Sequence, residues 1–186
     1  RLFLARRDMK KITQSYYVIA IRNFLKYLIK KDYKVLSPDK IELPKISRRQ
    51  IEILEYKDLE KILGLPDPKS LRGLRDRAIL ETFFSTGLRL SELCSLDRYL
   101  DFERGEITVR GKGDKLRIVF LSDRAKKAIK NYLDKRPDAD EAMFVSLTKK
   151  SGVKSHESKV IGRIIPRAVQ RLVNFYARKA GIADHI

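Results

Sequence analysis

The sequence has 186 residues and a mass of 21.7 kDa, and 43% of its residues are apolar, including eight Tyr and eight Phe. That length allows one good core or two small ones, and that apolar content excludes a disordered chain. The 42 Lys and Arg against 24 Asp and Glu give a net charge of +18 and a pI of about 10.0, which favours a polyanionic partner over a merely soluble basic protein.

The single cysteine, Cys94, argues against a disulfide framework and a cysteine-based zinc module. It lies in an apolar stretch, so we expect a small buried residue. No apolar run approaches the roughly 20 residues that a membrane span needs. Residues 1–7 also lack the features of a signal peptide. These features predict a soluble cytoplasmic protein.

Residues 1–50 are strongly basic, with fourteen Lys or Arg against four Asp or Glu. Within them, apolar residues recur at helical spacing after a plausible N-terminal cap at Thr13. This spacing predicts an amphipathic helix with a basic face. Its apolar positions are Tyr17, Ile21, Phe24, Leu25 and Leu28, and its basic positions are Arg22, Lys26 and Lys30.

Residues 32–50 lose this periodicity and contain two prolines, as an extended linker does. The linker also holds the basic cluster Lys45, Arg48 and Arg49. We therefore predict a domain boundary near Ser47, with a small helical domain at 1–47 and a second domain at 48–186.

The second domain is predicted to be mainly helical. Apolar spacing indicates helices at 56–63, at 74–84, from Ser122 to 133 and from Pro166 to Gly181. Gly87 and Gly181 are expected to end helices, and Pro166 suits a first helical turn.

One β-hairpin is predicted between these helices. Strand-forming residues at 106–109 and 116–121 flank Gly111-Lys112-Gly113-Asp114, whose residues tolerate positive φ angles. A lysine therefore stands at the hairpin tip. A short strand at 142–145 and a polar loop are expected to follow.

The most informative motif is Thr86-Gly87-Leu88-Arg89-Leu90-Ser91-Glu92-Leu93. It places an arginine just after a glycine helix stop, with a carboxylate three residues later at the start of the next helix. A structural salt bridge would explain such a pair in an arbitrary protein. The lysine at the hairpin tip, about twenty residues later, favours a functional site instead.

These motifs, in this order, resemble the catalytic domain of tyrosine recombinases, the phage integrase family, and especially its Xer type. Further matches are Leu121-Ser122, residues 166–182 and the N-terminal helix, which resembles the end of the family's core-binding domain. The resemblance implies a mainly α fold with a small β-hairpin, in which a partial core-binding domain and a catalytic domain encircle duplex DNA. It also implies site-specific strand exchange through a 3′-phosphotyrosyl intermediate, in a homotetramer or heterotetramer on two DNA sites.

The resemblance assigns roles to individual residues. Arg89 matches the arginine that holds the phosphoryl oxygens, Lys112 matches the lysine that protonates the leaving 5′-oxygen, and Glu92 matches a supporting carboxylate. Residues expected to contact DNA are Lys115, Arg117, Arg167, Arg22, Lys26, Arg48 and Arg49. No metal or cofactor is expected, and the protein is expected on nucleoid DNA in the cytoplasm.

The family continues with Pro-His-x-Leu-Arg-His and a later nucleophilic tyrosine, and neither is found before Ile186. His185 lacks the Leu-Arg-His that should follow, and none of the eight tyrosines fits the nucleophile. We therefore expect this chain alone to be inactive. Two alternatives stay open: a catalytically silent DNA-binding protein of the same fold, such as an accessory factor or regulator, and a basic RNA-binding scaffold.

Overall fold

The computed structural model describes residues 9–45, 53–111, 115–149 and 158–182. The chain divides into two compact units, Arg1–Ile51 and Glu52–Ile186. None of the helices in the described residues is long and apolar enough to cross a membrane.

The described residues of the first unit form a long helix, α1, Lys11–Lys30, and a short 3-10 turn, Pro38–Lys40, that packs against it. The predicted cap is wrong, because α1 begins two residues before Thr13 and its N-cap, Lys10, makes no side-chain capping bond. Lys30 lies in the last turn, where a positive charge suits the partial negative charge of the helix end.

The predicted inward face of α1 is only partly correct. Tyr17, Ile21 and Phe24 are largely exposed, whereas Ser15 and Val18 are buried. The remaining inward positions, which are half-buried, are Arg22, Leu25 and Leu28. Apolar spacing gives the period of a helix, but the neighbouring segment decides which face is covered.

The second unit is mainly helical. Its helices are α2, Tyr56–Gly64; α3, Leu71–Thr86; α4, Leu90–Cys94; α5, Asp123–Asp134; and α6, Pro166–Lys179. α5 starts at the predicted Ser122, whose Oγ accepts from Ala125 N, and α3 starts at a serine cap that was not predicted, since Ser70 Oγ accepts from Gly73 N. The helices share one core, in which Ile79, Leu93, Ile129, Phe144 and Val169 are among the most deeply buried side chains. Phe84, the last residue of the predicted helix at 74–84, is apolar but has half of its surface exposed.

Two small antiparallel sheets complete this unit. The predicted hairpin pairs β1, Glu106–Arg110, with β2, Leu116–Phe120, and Val109 lies opposite Arg117. A second hairpin, which the sequence analysis missed, pairs β3, Val145–Lys149, with β4, Ser158–Arg163. A strand was expected at 142–145, but β3 begins at Val145, the last of these residues. Ala142 forms only an isolated bridge with Asp97.

A buried polar network connects α3 with α6 and β3. Arg75 donates to Asp76 Oδ1 through Nε and Nη2, at 2.9 and 2.6 Å, and to Val145 O through Nη1 at 3.1 Å. Tyr176 donates its hydroxyl proton to Asp76 Oδ2 at 3.0 Å. Burial and the Asp76 carboxylate raise the pKa of Tyr176, so its hydroxyl stays protonated at neutral pH.

The boundary at Ser47 stays a prediction, and truncation tests it. A protein lacking residues 1–47 is expected to keep a cooperative thermal transition, because the second unit has a hydrophobic core of its own that includes Ile79, Leu93 and Val169. The same protein should bind duplex DNA more weakly than the whole chain. Circular dichroism melts and a DNA titration measure both effects, and loss of folding on truncation would move the boundary.

Candidate active site

The backbone corner between α3 and α4 is set by one glycine. Gly87 follows α3 with φ +58, a left-handed conformation that favours glycine, and its N–H donates to Phe83 O at 2.9 Å. Leu88 is buried and anchors the corner, and Arg89 is the N-cap of α4 in an extended conformation. The sequence thus fixes where the Arg89 side chain leaves the backbone.

Glu92 lies directly under this arginine and has only 6% of its side chain exposed. Its Oε2 accepts from the backbone N–H of Arg89 at 2.7 Å, and its Oε1 accepts from Arg89 Nη1 at 2.9 Å. A third donor comes from β2, because Arg117 Nη2 lies 2.7 Å from Glu92 Oε2. One buried carboxylate therefore holds two guanidinium groups.

The charge state of Glu92 follows from these contacts. Burial alone would raise its pKa, but hydrogen bonds from the backbone and side chain of Arg89, together with the charge of Arg117, outweigh burial. The pKa of Glu92 therefore lies below its ordinary value, and the carboxylate is ionised at neutral pH.

The base of the predicted hairpin loop lies against this cluster. Gly111 N donates to Lys115 O at 2.8 Å, which closes the loop. A Cβ placed on Gly111 would lie 3.4 Å from Arg89 Nη1 and 3.7 Å from Glu92 Oε1. These are ordinary van der Waals distances, so the hairpin backbone at Gly111 lies directly beside the Arg89–Glu92 pair. Lys112, the next residue, lies outside the described residues.

The arrangement suits anion binding. Arg89 keeps 56% of its side chain exposed although its guanidinium is fixed by Glu92. A guanidinium offers five N–H donors, and only one side-chain nitrogen of Arg89 is used by Glu92 among the described hydrogen bonds. The remaining N–H groups can donate two parallel, charge-assisted hydrogen bonds to a tetrahedral oxyanion.

The other residues expected to contact DNA are placed as follows. Lys115 is exposed beside the loop base, and Arg167 is exposed in the first turn of α6. In the first unit Lys26 is exposed, while Arg22 donates to Asp39 Oδ1 at 3.2 Å. Arg48 and Arg49 lie outside the described residues. The described contacts thus bring Arg89, Glu92 and Arg117 together, and they include no hydrogen bond or ion pair from Arg167 to that cluster.

One residue at this site was missed by sequence reasoning. Arg163, on β4, donates through Nη1 to Cys94 O and Leu96 O at 3.1 and 2.9 Å, so it binds the carbonyl end of α4. Its Nη2 also pairs with Asp97 Oδ1. No signal in the sequence could have shown this, because β4 itself was not predicted.

Known proteins resemble this chain in sequence and in fold. Residues 52–186 match the model of the phage integrase family. The chain belongs to the phage integrase family. Its curated relatives include tyrosine recombinase XerC of Syntrophus aciditrophicus, 34% identical over 185 residues, which cover 98% of this chain and 59% of that protein. XerC of Myxococcus xanthus is 35% identical over 179 residues, covering 90% of this chain and 55% of that protein.

This family member also shares its fold with solved recombinases. The Tn1549 transposon integrase in complex with circular intermediate DNA has a TM-score of 0.68 at 18% identity, over 96% of this chain and 62% of that one. XerH bound to its difH substrate has a TM-score of 0.61 at 22% identity, and the match covers 96% of this chain and 51% of the XerH chain. The mainly helical, Xer-like architecture expected from the sequence is therefore confirmed. The chain spans a little over half the length of the relatives it matches.

Proposed function

We propose that this chain is the DNA-binding and phosphate-activating part of a site-specific recombinase, which cleaves and rejoins DNA strands through a 3′-phosphotyrosyl intermediate. The observation that carries the proposal is the Arg89 guanidinium, exposed to solvent yet fixed on the buried Glu92 carboxylate at the base of a lysine-bearing hairpin. The XerC relatives support it, since they are tyrosine recombinases.

Arg89 has the chemistry to stabilise the transition state. When a tyrosine hydroxyl attacks a phosphodiester, negative charge grows on the two non-bridging phosphoryl oxygens, and a planar guanidinium can donate to both. Glu92 holds that guanidinium before DNA arrives, so little reorganisation is needed at the moment of reaction. The phosphotyrosyl link conserves the energy of the broken bond, so rejoining needs no nucleotide cofactor.

Lys112 is proposed to protonate the departing 5′-oxygen. An alkoxide is a poor leaving group at neutral pH, and proton transfer from a positioned side chain lowers that barrier. The neighbouring Gly111 lies against Arg89, and a lysine attached next to this position could reach a phosphate bound by Arg89. Lys115 and Arg167, both exposed, are proposed to hold flanking phosphates, which positions the protein without reading sequence.

The attacking tyrosine is proposed to lie in a segment equivalent to the part of the relatives that this chain does not match. Two tyrosines here are poor candidates, because Tyr132 is fully buried with its hydroxyl 3.4 Å from Val145 N, and Tyr176 is bound to Asp76. The whole protein is proposed to act in the cytoplasm as a tetramer on two DNA sites. The solved complexes of XerH and the Tn1549 integrase, which contain DNA, are consistent with that partner.

DNA binding by the 186-residue chain gives the first test. Affinity for a labelled duplex is expected to fall steeply with salt, because each neutralised phosphate contributes about −0.9 to the slope of log K against log salt. With a net charge of +18, the slope should correspond to several phosphate contacts. Fluorescence anisotropy at four salt concentrations measures it, and a slope near zero would reject a DNA-binding function.

Covalent capture tests the chemistry. On a duplex nicked beside the cleavage site, the strand fragment diffuses away after attack and the protein stays attached to DNA. The chain alone is expected to bind this substrate without forming an adduct, whereas a protein carrying the C-terminal segment found in its relatives should form one. An adduct with the chain alone would show that one of its own eight tyrosines is the nucleophile.

A further inference from the structure

Arg117 occupies an unusual position on the hairpin. Side chains of β2 alternate, and Leu116, Ile118 and Phe120 are largely exposed on one face. Arg117 points to the opposite face, together with Val119, and its strand partner Val109 is buried. An arginine on the inward face of a strand needs a specific partner, because burying an unpaired charge is costly.

That partner is the carboxylate that holds Arg89. Arg117 Nη2 lies 2.7 Å from Glu92 Oε2, the same oxygen that accepts the backbone N–H of Arg89. Glu92 Oε1 remains for the Arg89 side chain. The contact from β2 therefore fixes the rotation of the carboxylate, and with it the oxygen that faces the Arg89 guanidinium.

Charge gives Arg117 a second effect on the site. Paired with Glu92 alone, Arg89 would have its positive charge balanced by one nearby carboxylate. Two guanidinium groups on one carboxylate leave a net charge of about +1 at the cluster, so an approaching phosphate still meets a positive site. Arg117 Nε is buried and has no hydrogen-bond partner among the described residues, and Nη2 is held by Glu92, while 38% of the side chain is exposed.

We infer that Arg117 is a positioning residue that acts on Arg89 through Glu92, and that it is not a contact to the DNA backbone. The inference replaces the phosphate-binding role expected from the sequence and rests on the proposed function. Its consequence is that the phosphate-binding strength of Arg89 depends on a side chain of the hairpin. The hairpin and the α4 corner would then act as one preorganised unit.

The test compares Arg117→Gln with Arg117→Lys and with Lys130→Gln, a control that removes one exposed positive charge from α5. All measurements use the 186-residue chain without DNA at first. Side-chain NMR of the Glu92 carboxyl carbon, assigned with Glu92→Gln, should show its pKa rising in Arg117→Gln and unchanged in the control. A thermal melt of each variant establishes that it is folded, and Arg117→Lys serves alone if Arg117→Gln does not fold.

Phosphate binding separates positioning from a purely structural role. In a titration with inorganic phosphate followed by the Arg89 Nε–Hε resonance, Arg117→Gln is expected to bind about fivefold more weakly, which corresponds to an ion pair at a partly exposed site. Arg117→Lys should recover part of the loss because it restores the charge without the guanidinium geometry. Unchanged affinity of Arg89 for phosphate in both variants would overturn the inference.

DNA binding separates this inference from the proposed function. If Arg117 touched a phosphate, Arg117→Gln would lower the salt slope by about 0.9. We expect the slope to match that of the unsubstituted chain, and a decrease of that size would overturn the inference. If no variant or parent chain bound DNA, the proposed function would fail, while the Glu92 and Arg89 measurements would still decide the role of Arg117.

Discussion

Replacing Arg89 with lysine in the cleavage-competent protein is expected to slow adduct formation by about a hundred- to a thousand-fold, the usual effect of losing one preorganised donor to a developing oxyanion. Lysine keeps the positive charge but is a point charge, so it cannot donate two parallel hydrogen bonds to the phosphoryl oxygens. The longer protein, carrying a C-terminal segment like those of its relatives, would be assayed on the nicked duplex under single-turnover conditions.

Duplex affinity should change little in Arg89→Lys, because the charge is retained and many other phosphate contacts remain. The matched control is Arg104→Lys, an arginine in the turn before β1 whose side chain is 77% exposed. That control should cleave at the parent rate. If Arg89→Lys also cleaved at the parent rate, the bidentate role of Arg89 would be wrong, whereas an equal loss of binding and cleavage would indicate that Arg89 mainly anchors DNA.

Some parts of this site could be predicted from the sequence because their physics is local. The left-handed Gly87 and the Ser122 cap each depend on chemistry within three or four residues. The pairing of Arg89 with Glu92 is similar, since an N-cap residue and the third helical residue are always close. Such local features depend little on how the rest of the chain folds.

Other features depend on segments that are distant in sequence. β4, Ser158–Arg163, contains a lysine, an arginine and a glycine with φ +122 near a register shift, so its composition does not resemble a strand. Its contribution to α4 through Arg163 could not be anticipated. The exposed faces of Tyr17 and Phe84 show the same limit, because spacing identifies a helix without identifying its neighbour.

The role of Arg117 was hidden for a different reason. The alternation of Leu116, Arg117 and Ile118 already places the arginine on the opposite face from two apolar residues. A glycine- and lysine-rich hairpin invites a DNA-contact interpretation for every basic residue near it. The structure separates them, because Lys115 is exposed beside the loop while Arg117 binds Glu92. The face of the strand on which a basic side chain lies is therefore a better guide to its role here than its residue type.

Replacing Lys112 with alanine in the cleavage-competent protein is expected to slow cleavage of ordinary DNA by about a hundred- to ten-thousand-fold, the range for loss of a general acid. The measurement that identifies the role uses a substrate whose bridging 5′-oxygen is replaced by sulfur. A thiol has a pKa near 8.5, so a thiolate leaves without being protonated first. Lys112→Ala should therefore cleave the sulfur substrate at close to the parent rate.

Arg89→Lys provides the matched comparison, because the charge on the non-bridging phosphoryl oxygens still develops when sulfur is the leaving atom. Sulfur should rescue Lys112→Ala and leave Arg89→Lys slow, which separates a proton donor from an oxyanion clamp. Gly111, the described residue that precedes Lys112, lies against Arg89, and this position favours such a division of roles. If Lys112→Ala cleaved the ordinary oxygen substrate at the parent rate, the lysine would have no catalytic role. The hairpin would then act on the reaction through Arg117 and Glu92 and through the phosphate contact of Lys115.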